Sequence, residues 1–466
     1  MTKKILGLWK QLPPAWQFAL SGFVLARLAL TFWSLVIFSI FPMTLQNLDL
    51  FGEPVLAIFD LTTSERFAYL RQVDNVVLTF QAVDLSHMKD MQTGSIWSLR
   101  EGRAVLGAYA GRVLNPSVYS AEQIFPYQGV SPEKSILLAV WQRFDANWYL
   151  KIATRGYGNE GSTVYFPVYP LLIRAFVRIF GNPMLAAILI SNFALIGVLV
   201  LLYYLTAGII GVVSARRAIV YILLFPTAFF MMAAYTESLF LLFTLGSLLA
   251  AMRRQWPFAI MLGTLAALTR LQGVLVIAPL AYMLWRQVQA GAKGSNPGAK
   301  TSLAVVDYIL RSLPLLVIQS ATIIFLAFTN LSLLNAYRGE LHAKFVLPWD
   351  NVLASISLLM SGQGSFVDAL NLIITFGLGV MMFVIWKKLP FEYTLYSLLM
   401  LVAPMLRMTT TQPLVSMSRY ALAVFPMFIV WADWGQKPWV NRAIVYLSLP
   451  LQLYLSAQFF LWGWVA

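Results

Sequence analysis

Residues 183–207 read PMLAAILISNFALIGVLVLLYYLTA, an unbroken apolar run without one charged side chain. About 20 such residues, rising 1.5 Å each as a helix, cross the ~30 Å hydrocarbon layer of a bilayer. The stretch therefore places the chain in a membrane. Composition agrees: 59% of the 466 residues are apolar, 11% are charged and the mean hydropathy is +0.73, more apolar than the core of a water-soluble domain requires.

Working outward, comparable runs recur near 16–41, 218–235, 237–252, 256–271, 273–286, 311–330, 366–386, 390–406, 419–433 and 442–464. With 183–207 they predict an all-α polytopic membrane protein of about eleven transmembrane helices. The first run is longer than a signal-peptide core and reads as a retained span. Placed alternately, the connections holding Arg216 and Arg217, Arg253 and Arg254, Arg286 to Lys300, Lys387 and Lys388, and Lys437 with Arg442 fall on the side of Lys3, Lys4 and Lys10. The positive-inside rule makes that side cytoplasmic. The same loops account for the net charge of +14, because basic loops meet anionic lipid head groups. Nucleic-acid binding is excluded as a partner class, since no basic, aromatic-interleaved soluble domain exists to carry it.

Three regions follow: a cytoplasmic N-terminus and first helix over 1–41, a large first extracytoplasmic loop over 42–182, and a helical bundle over 183–466. The piece from Pro42 to Thr163 mixes acids, bases and aromatics without low complexity and reads as folded. Asn159 to Ser162 reads as a Gly-rich turn. Residues 168–180 predict a helix at the outer interface, with Arg174 and Arg178 four apart on one face. GAKGSNPGAK, residues 291–300, reads as a flexible linker. Several middle runs are short and join at polar points, Tyr235-Thr236-Glu237-Ser238 and Thr269-Arg270-Leu271-Gln272. Charge at such joints predicts a water-filled cavity in the outer half of the bundle, because bare charge facing lipid is costly.

Chemistry is confined to few residues. Cys is absent, which excludes disulfides and thiolate chemistry, and the presence of only two histidines, His87 and His342, speaks against a zinc site. Asp145 stands just before a predicted short helix, where its carboxylate either caps the helix or acts as a base.

The run F-D-A-N-W-Y-L-K-I-A-T-R-G-Y (144–157), followed by Y-F-P-V-Y-P (165–170), resembles the PIG-V family of mannosyltransferases and their prokaryotic relatives. The likeness continues in P-T-A-F-F-M-M-A-A-Y-T-E-S-L-F (226–240), A-A-L-T-R-L-Q-G (266–273) and S-R-Y-A-L-A-V-F-P (418–426). It departs at Phe144, where the family usually has Trp, and in the hundred or so residues between the first span and Asp145. The resemblance implies a GT-C-like fold and a membrane glycosyltransferase that moves a hexose, mannose by preference, from a polyprenyl-phosphate donor to an extracytoplasmic acceptor lipid, glycan or protein. It implies Asp145 as the catalytic base. Donor phosphate leaving with negative charge needs fixed cations, for which Arg270, Arg407 and Arg419 stand at the outer ends of predicted spans. Arg143 and Tyr165 are further substrate-binding candidates. Glu237 either pairs with Arg270 or binds sugar hydroxyls, and His342, in a loop with Lys344 and Trp349, is a further substrate-binding candidate. No cofactor is required and no metal site is assigned, though Asp145 with Glu237 could bind a divalent metal weakly; a prokaryotic plasma membrane is the expected location. Two other readings use the same features: a lipid-linked-sugar flippase or transporter, and an inactive binding subunit. Transporters usually show two related halves, and this chain shows no internal repeat.

Overall fold

The structure is a computed structural model that describes residues 9–40, strands between 47 and 106, 130, 133, 135–158, 162–295, 301–329, 343–409, 412–460 and 465. Helix α1 (Pro14–Ile40) opens it. Between the first and second spans, seven strands follow: β1 (Asn47–Leu50), β2 (Glu53–Phe59), β3 (Arg66–Arg71), β4 (Val77–Ala82), β5 (His87–Asp90), β6 (Ile96–Arg100) and β7 (Arg103–Leu106). They form one antiparallel sheet in chain order, with Leu56 opposite Tyr69 and Leu70 opposite Leu78, and β7 returns against β1. The region expected to be folded thus carries β structure that an all-α class did not anticipate. Strands of four to seven residues lack the long apolar signature that made the helices legible.

Beyond the sheet, the described residues are mostly helical. Helices α2 (Asp145–Arg155) and α3 (Val168–Phe180) lead into α4 (Pro183–Ile210), α5 (Val212–Leu224), α6 (Glu237–Met252), α7 (Trp256–Ala267), α8 (Ile277–Ser295), α9 (Thr301–Ser312), α10 (Leu316–Phe328) and α11 (Pro348–Met360). The chain closes with α12 (Phe366–Lys388), α13 (Phe391–Met405), α14 (Met417–Tyr420), α15 (Pro426–Trp434) and α16 (Pro438–Phe460). A two-stranded ribbon pairs β8 (Ala343–Phe345) with β9 (Arg407–Thr409). Local chemistry sets the boundaries. Asn182 caps α4 by accepting from the Leu185 amide at 2.8 Å, and Pro183 fills its first turn. α3 covers the predicted 168–180 and stops at Gly181, whose φ of +71° suits a residue without Cβ.

Among the described residues, six segments are long and apolar enough to cross a membrane: Pro14–Ile37, Pro183–Ile210, Leu271–Gly291, Ala304–Phe328, Phe366–Lys388 and Pro438–Phe460. Three of the expected spans are the shorter apolar helices α6, α7 and α13. The other two, 218–235 and 419–433, are broken. In the first, Phe225 is extended (ψ 140°) because Pro226 follows and disfavours the helical region in the residue before it. A single 3-10 turn (Ala228–Met231) then leads to α6. In the second, α14 is separated from α15 by another 3-10 turn ahead of Pro426. Residues 225–241 are all buried, the setting in which irregular backbone is tolerated at membrane depth. The expected linker is partly helix, since α8 continues to Ser295; 296–300 lie outside the described residues, as do 159–161 of the predicted Gly-rich turn.

The broken segment is held from several sides. Ser191 donates to the Tyr235 carbonyl (2.8 Å) and Thr227 to that of Ser418 (2.8 Å). Arg27, the lone charge within α1, donates to the Met232 carbonyl (3.1 Å) while its guanidinium lies 4.4 Å from the Trp141 ring. Phe459 near the end of α16 packs against Trp141, Phe144, Phe229, Phe230 and Tyr235. This aromatic cluster joins the Asp145 motif to the broken helix.

Candidate active site

Asp145 is the first residue of α2 and follows Phe144, whose φ of 44° is rare for a residue with a side chain. Strain of this kind costs about 1–3 kcal/mol and persists where the surroundings over-determine it; here Phe144 packs on Phe459 (6.3 Å between ring centres). The carboxylate makes no capping bond, since the cap position is Phe144 itself. Instead Oδ2 accepts from Arg419 Nη1 at 2.7 Å and Oδ1 from the Tyr165 hydroxyl at 3.3 Å. The capping role weighed from sequence is thus replaced by a pairing role, and the N-terminal end of α2 adds its partial positive charge to the carboxylate's surroundings.

Arg419 reaches further. Its Nε donates to Glu237 Oε1, and Arg270 Nη1 donates to that same oxygen at 2.5 Å. Glu237 opens α6, and Arg270 lies in the Leu268–Leu271 joint between α7 and the 3-10 turn before α8. A continuous chain results, Asp145–Arg419–Glu237–Arg270, drawn from four distant stretches of sequence. Glu237 is 3% exposed and Asp145 23%, so the network is deep at Glu237 and opens at Asp145. Glu237 Oε2 is buried without a hydrogen-bond partner among the described residues and borders a small cavity with Arg270, Gln272, Arg419 and Tyr420.

Positioning comes from buried amides. Asn371 Oδ1 accepts from the Ser418 amide (2.8 Å), so Ser418 is held on both sides just before Arg419. Asn351 donates to the carbonyls of Met405 (3.0 Å) and Arg407 (2.8 Å) and accepts from the Leu414 amide (2.7 Å). Leu414 and Ser416 both have positive φ (51° and 65°). Three of the four such non-glycine residues described flank the cluster.

An aromatic wall stands beside Asp145. Tyr165 stacks on Trp148 (5.4 Å, 15° between planes) and meets Tyr149 edge-on at 5.1 Å. The Tyr149 hydroxyl lies 3.2 Å from that of Thr236. Burial, with the charge of Asp145 as a second cause, pushes the phenols of Tyr149 and Tyr165 well above their ordinary value. Both remain O–H donors at neutral pH.

Of the residues expected at a site, the structure brings together Asp145, Tyr165, Glu237, Arg270 and Arg419. The charges of Arg407, Arg270 and Arg419 all bear on the Tyr420 hydroxyl, and the Arg270 guanidinium is 5.5 Å from the Tyr420 ring. Arg143 is 4% exposed and donates to the carbonyls of Phe460, Ala139 and Gln142, bonds that fasten the end of α16 to the Asp145 motif. Lys151 stacks over Trp148 (5.0 Å), and Trp349 is 59% exposed at the start of α11. His342 lies outside the described residues. Tyr149, Trp148, Thr236 and Tyr420 were not singled out from sequence. The available signal for Tyr149 was its place four residues after Asp145, on the same helical face.

The family model described as Mannosyltransferase (PIG-V) matches residues 112–336. The match bears out the resemblance seen in the motifs and takes in Asp145, Tyr165, Glu237 and Arg270. It supports a membrane glycosyltransferase that transfers mannose. No curated protein and no solved structure matches the chain.

Proposed function

We propose, proceeding from the similarity to the PIG-V mannosyltransferases, that the chain transfers mannose from a polyprenyl-phosphate donor to an extracytoplasmic acceptor at the Asp145–Arg419–Glu237–Arg270 cluster. The observation that carries this reading is the pairing itself: a part-exposed carboxylate and buried guanidinium groups are held within one hydrogen-bonded network.

In this reading the acceptor hydroxyl meets Asp145, whose carboxylate takes the proton as the new bond forms at the anomeric carbon. The bond from that carbon to the phosphate oxygen breaks, and the phosphate keeps the electron pair. Arg419, Arg270 and Arg407 receive the charge that gathers there, in a setting where fixed donors act most strongly. Arg419 touches Asp145 and lines the small cavity with Arg270, where the donor phosphate sits in this reading. As the leaving group becomes more negative it takes a larger share of the Arg419 charge, and the carboxylate becomes a better base as its pairing weakens. Glu237 holds both guanidinium groups in place through one oxygen and presents the other to a hydroxyl of the transferred sugar. Attack opposite the leaving phosphate inverts the anomeric centre. The energy resides in the donor's own bond, so this chemistry requires no nucleotide and no metal.

The Lys- and Arg-rich connections at 216–217, 253–254, 286–300, 387–388 and 437–442 alternate along the chain with the joints that hold Glu237, Arg270 and Arg407, which supports an active site facing the extracytoplasmic side of a plasma membrane. In this reading the chain divides into 1–41, 42–182 and 183–466.

The test offers purified protein two mannose donors in parallel, a synthetic polyprenyl-phosphate-mannose and a nucleotide-linked mannose, with total membrane lipid and protein as acceptors. Label should come from the first donor alone, with its anomeric configuration inverted in the product. Label from the nucleotide donor, or retained configuration, would overturn the reading.

A further inference from the structure

The sheet β1–β7 takes no part in the site, and its register divides its residues unevenly. Among the described residues its strands pack chiefly on one another and β7 meets β1, so the sheet closes and has an inner and an outer side. One face carries Val55, Leu70 and Leu78 in one row and Met88, Trp97 and Leu106 in another. The charged residues of that face, Glu53, Arg66 and Asp90, all stand at strand ends. So apolar a face is the enclosed one, and the alternate positions make up the outer face.

Outside β2 and β3 this outer face is mostly polar, with Thr79 and Gln81 on β4, His87 and Lys89 on β5 and Ser98 on β6. The exception is confined to one pair of strands. There Leu56 stands opposite Tyr69 and Ile58 opposite Phe67, four adjacent positions in two neighbouring rows. Single apolar residues on an outer face need no account, but a contiguous group rimmed by polar positions marks a docking surface.

The place of the sheet in the chain identifies what covers that group. Helix α1, whose stretch Pro14–Ile37 is long and apolar enough to cross a bilayer, ends at Ile40, and β1 begins at Asn47. The seven Cα steps between them reach at most about 25 Å, so the start of β1 is tied close to the membrane. Asn47 is itself an outer-face residue: it pairs with Leu56, which pairs with Tyr69. At about 4.8 Å per strand the apolar group therefore lies within about 10 Å of the tethered residue. Cations flank it. Arg71 follows Tyr69 by two positions on the same face, and Lys89 continues the row Ile58, Phe67, Gln81. Aliphatic and aromatic residues edged by cations are the composition that suits the boundary between acyl chains and anionic head groups.

We propose that the outer face of β2 and β3 docks on the anionic surface of the bilayer that α1 crosses, with the Leu56–Tyr69 and Ile58–Phe67 rows at the head-group layer and Arg71 and Lys89 supplying charge to lipid phosphates. The sheet is then a membrane-bound element whose orientation is set by lipid and not by the helical bundle. This goes beyond the transferase reading and holds whether or not sugar is transferred.

The absence of cysteine from the chain allows single nitroxide labels in the full-length protein. Thr79→Cys and Gln81→Cys place labels beside the apolar rows without altering them, and Ser98→Cys places one on the far wall of the closed sheet. The measurement is the ratio of collision rates with oxygen, which partitions into lipid, and with a water-soluble nickel chelate, in phosphatidylcholine nanodiscs with and without phosphatidylglycerol. With phosphatidylglycerol the ratio at 79 and 81 should be about threefold that at 98, and without it the difference should shrink by about half. Ile58→Asp with Phe67→Asp, and separately Arg71→Glu with Lys89→Glu, should bring the ratio at 79 and 81 down to that at 98. An unchanged line shape at 98 checks that each variant sheet remains folded, and the change of lipid needs no substitution at all. Equal ratios at all three positions, or a high ratio at 79 and 81 that ignores phosphatidylglycerol, would overturn the proposal. A high ratio that disappears when each disc holds a single copy would also overturn it, by assigning the face to a second copy of the chain.

Discussion

At the scale of the residue, Arg419 is the member on which the cluster depends, because it bonds both acids. Arg419→Lys keeps one positive charge but cannot span Asp145 and Glu237 as a planar fork does. We predict a fall in kcat of about 10²–10³, the usual effect of removing one fixed transition-state donor, checked by single-turnover transfer at saturating donor. Arg419→Met leaves Glu237 with less compensation in the interior, for which about 3–5 kcal/mol of stability is expected to be lost; thermal unfolding in detergent would show it. The raised phenols of Tyr149 and Tyr165 carry a sign. Each is neutral in both folded and unfolded chains below about pH 10, the unperturbed value, so their full contribution to stability is present there. It is lost as the pH rises past that value toward the higher folded one. Phenolate absorbance should therefore appear together with unfolding, not before it; early titration of both would contradict the burial. The charged members were legible from sequence because an ionised group in so apolar a chain is expensive and must have a partner. The tyrosines were not, since tyrosine is spread through the chain and only the fold reveals which ring faces Asp145. Arg27 carried the same signal as Arg270 and was passed over, although it is the lone charge of its helix.

Elements show where such legibility ends. Length and hydropathy suffice for uninterrupted helices such as α4 and α12, but not for 218–235 and 419–433, where apolar residues line a buried irregular segment instead of a span. Pro226 and Pro426 were visible in both, yet proline also occurs within α13 and α16, so its presence alone does not mark a break. The breaks bring Glu237 and Arg419 to element ends in the interior, where they meet. Asn351 is the strongest local support of this arrangement, with three bonds to the Met405–Leu414 stretch. Asn351→Ala strands two carbonyls and an amide, each worth about 1–3 kcal/mol when buried and unpaired. A lowered unfolding midpoint and weaker binding of polyprenyl phosphate are expected. Unchanged donor affinity would show that this stretch does not position Arg419.

For the whole molecule, membrane residence and helical class follow from composition, whereas the antiparallel sheet between the first and second spans does not. Its strands are short and flanked by residues of mixed character, and strand pairing is a non-local property that one segment cannot announce. In the chain the sheet lies between α1 and the Asp145 motif, its last strand ending at Leu106. Deleting residues 47–106 behind a Gly-Ser bridge should leave donor binding at the arginines intact and alter acceptor use; loss of donor affinity would assign the sheet a supporting role instead. The central claim is that Asp145 deprotonates an acceptor while the arginines hold a departing lipid phosphate. The most direct measurement is incorporation of radiolabelled mannose from polyprenyl-phosphate-mannose into membrane acceptors by wild type and by Asp145→Asn, with donor binding followed in both. The account predicts undiminished donor binding and loss of transfer in the Asn variant; transfer by that variant at the wild-type rate would contradict it.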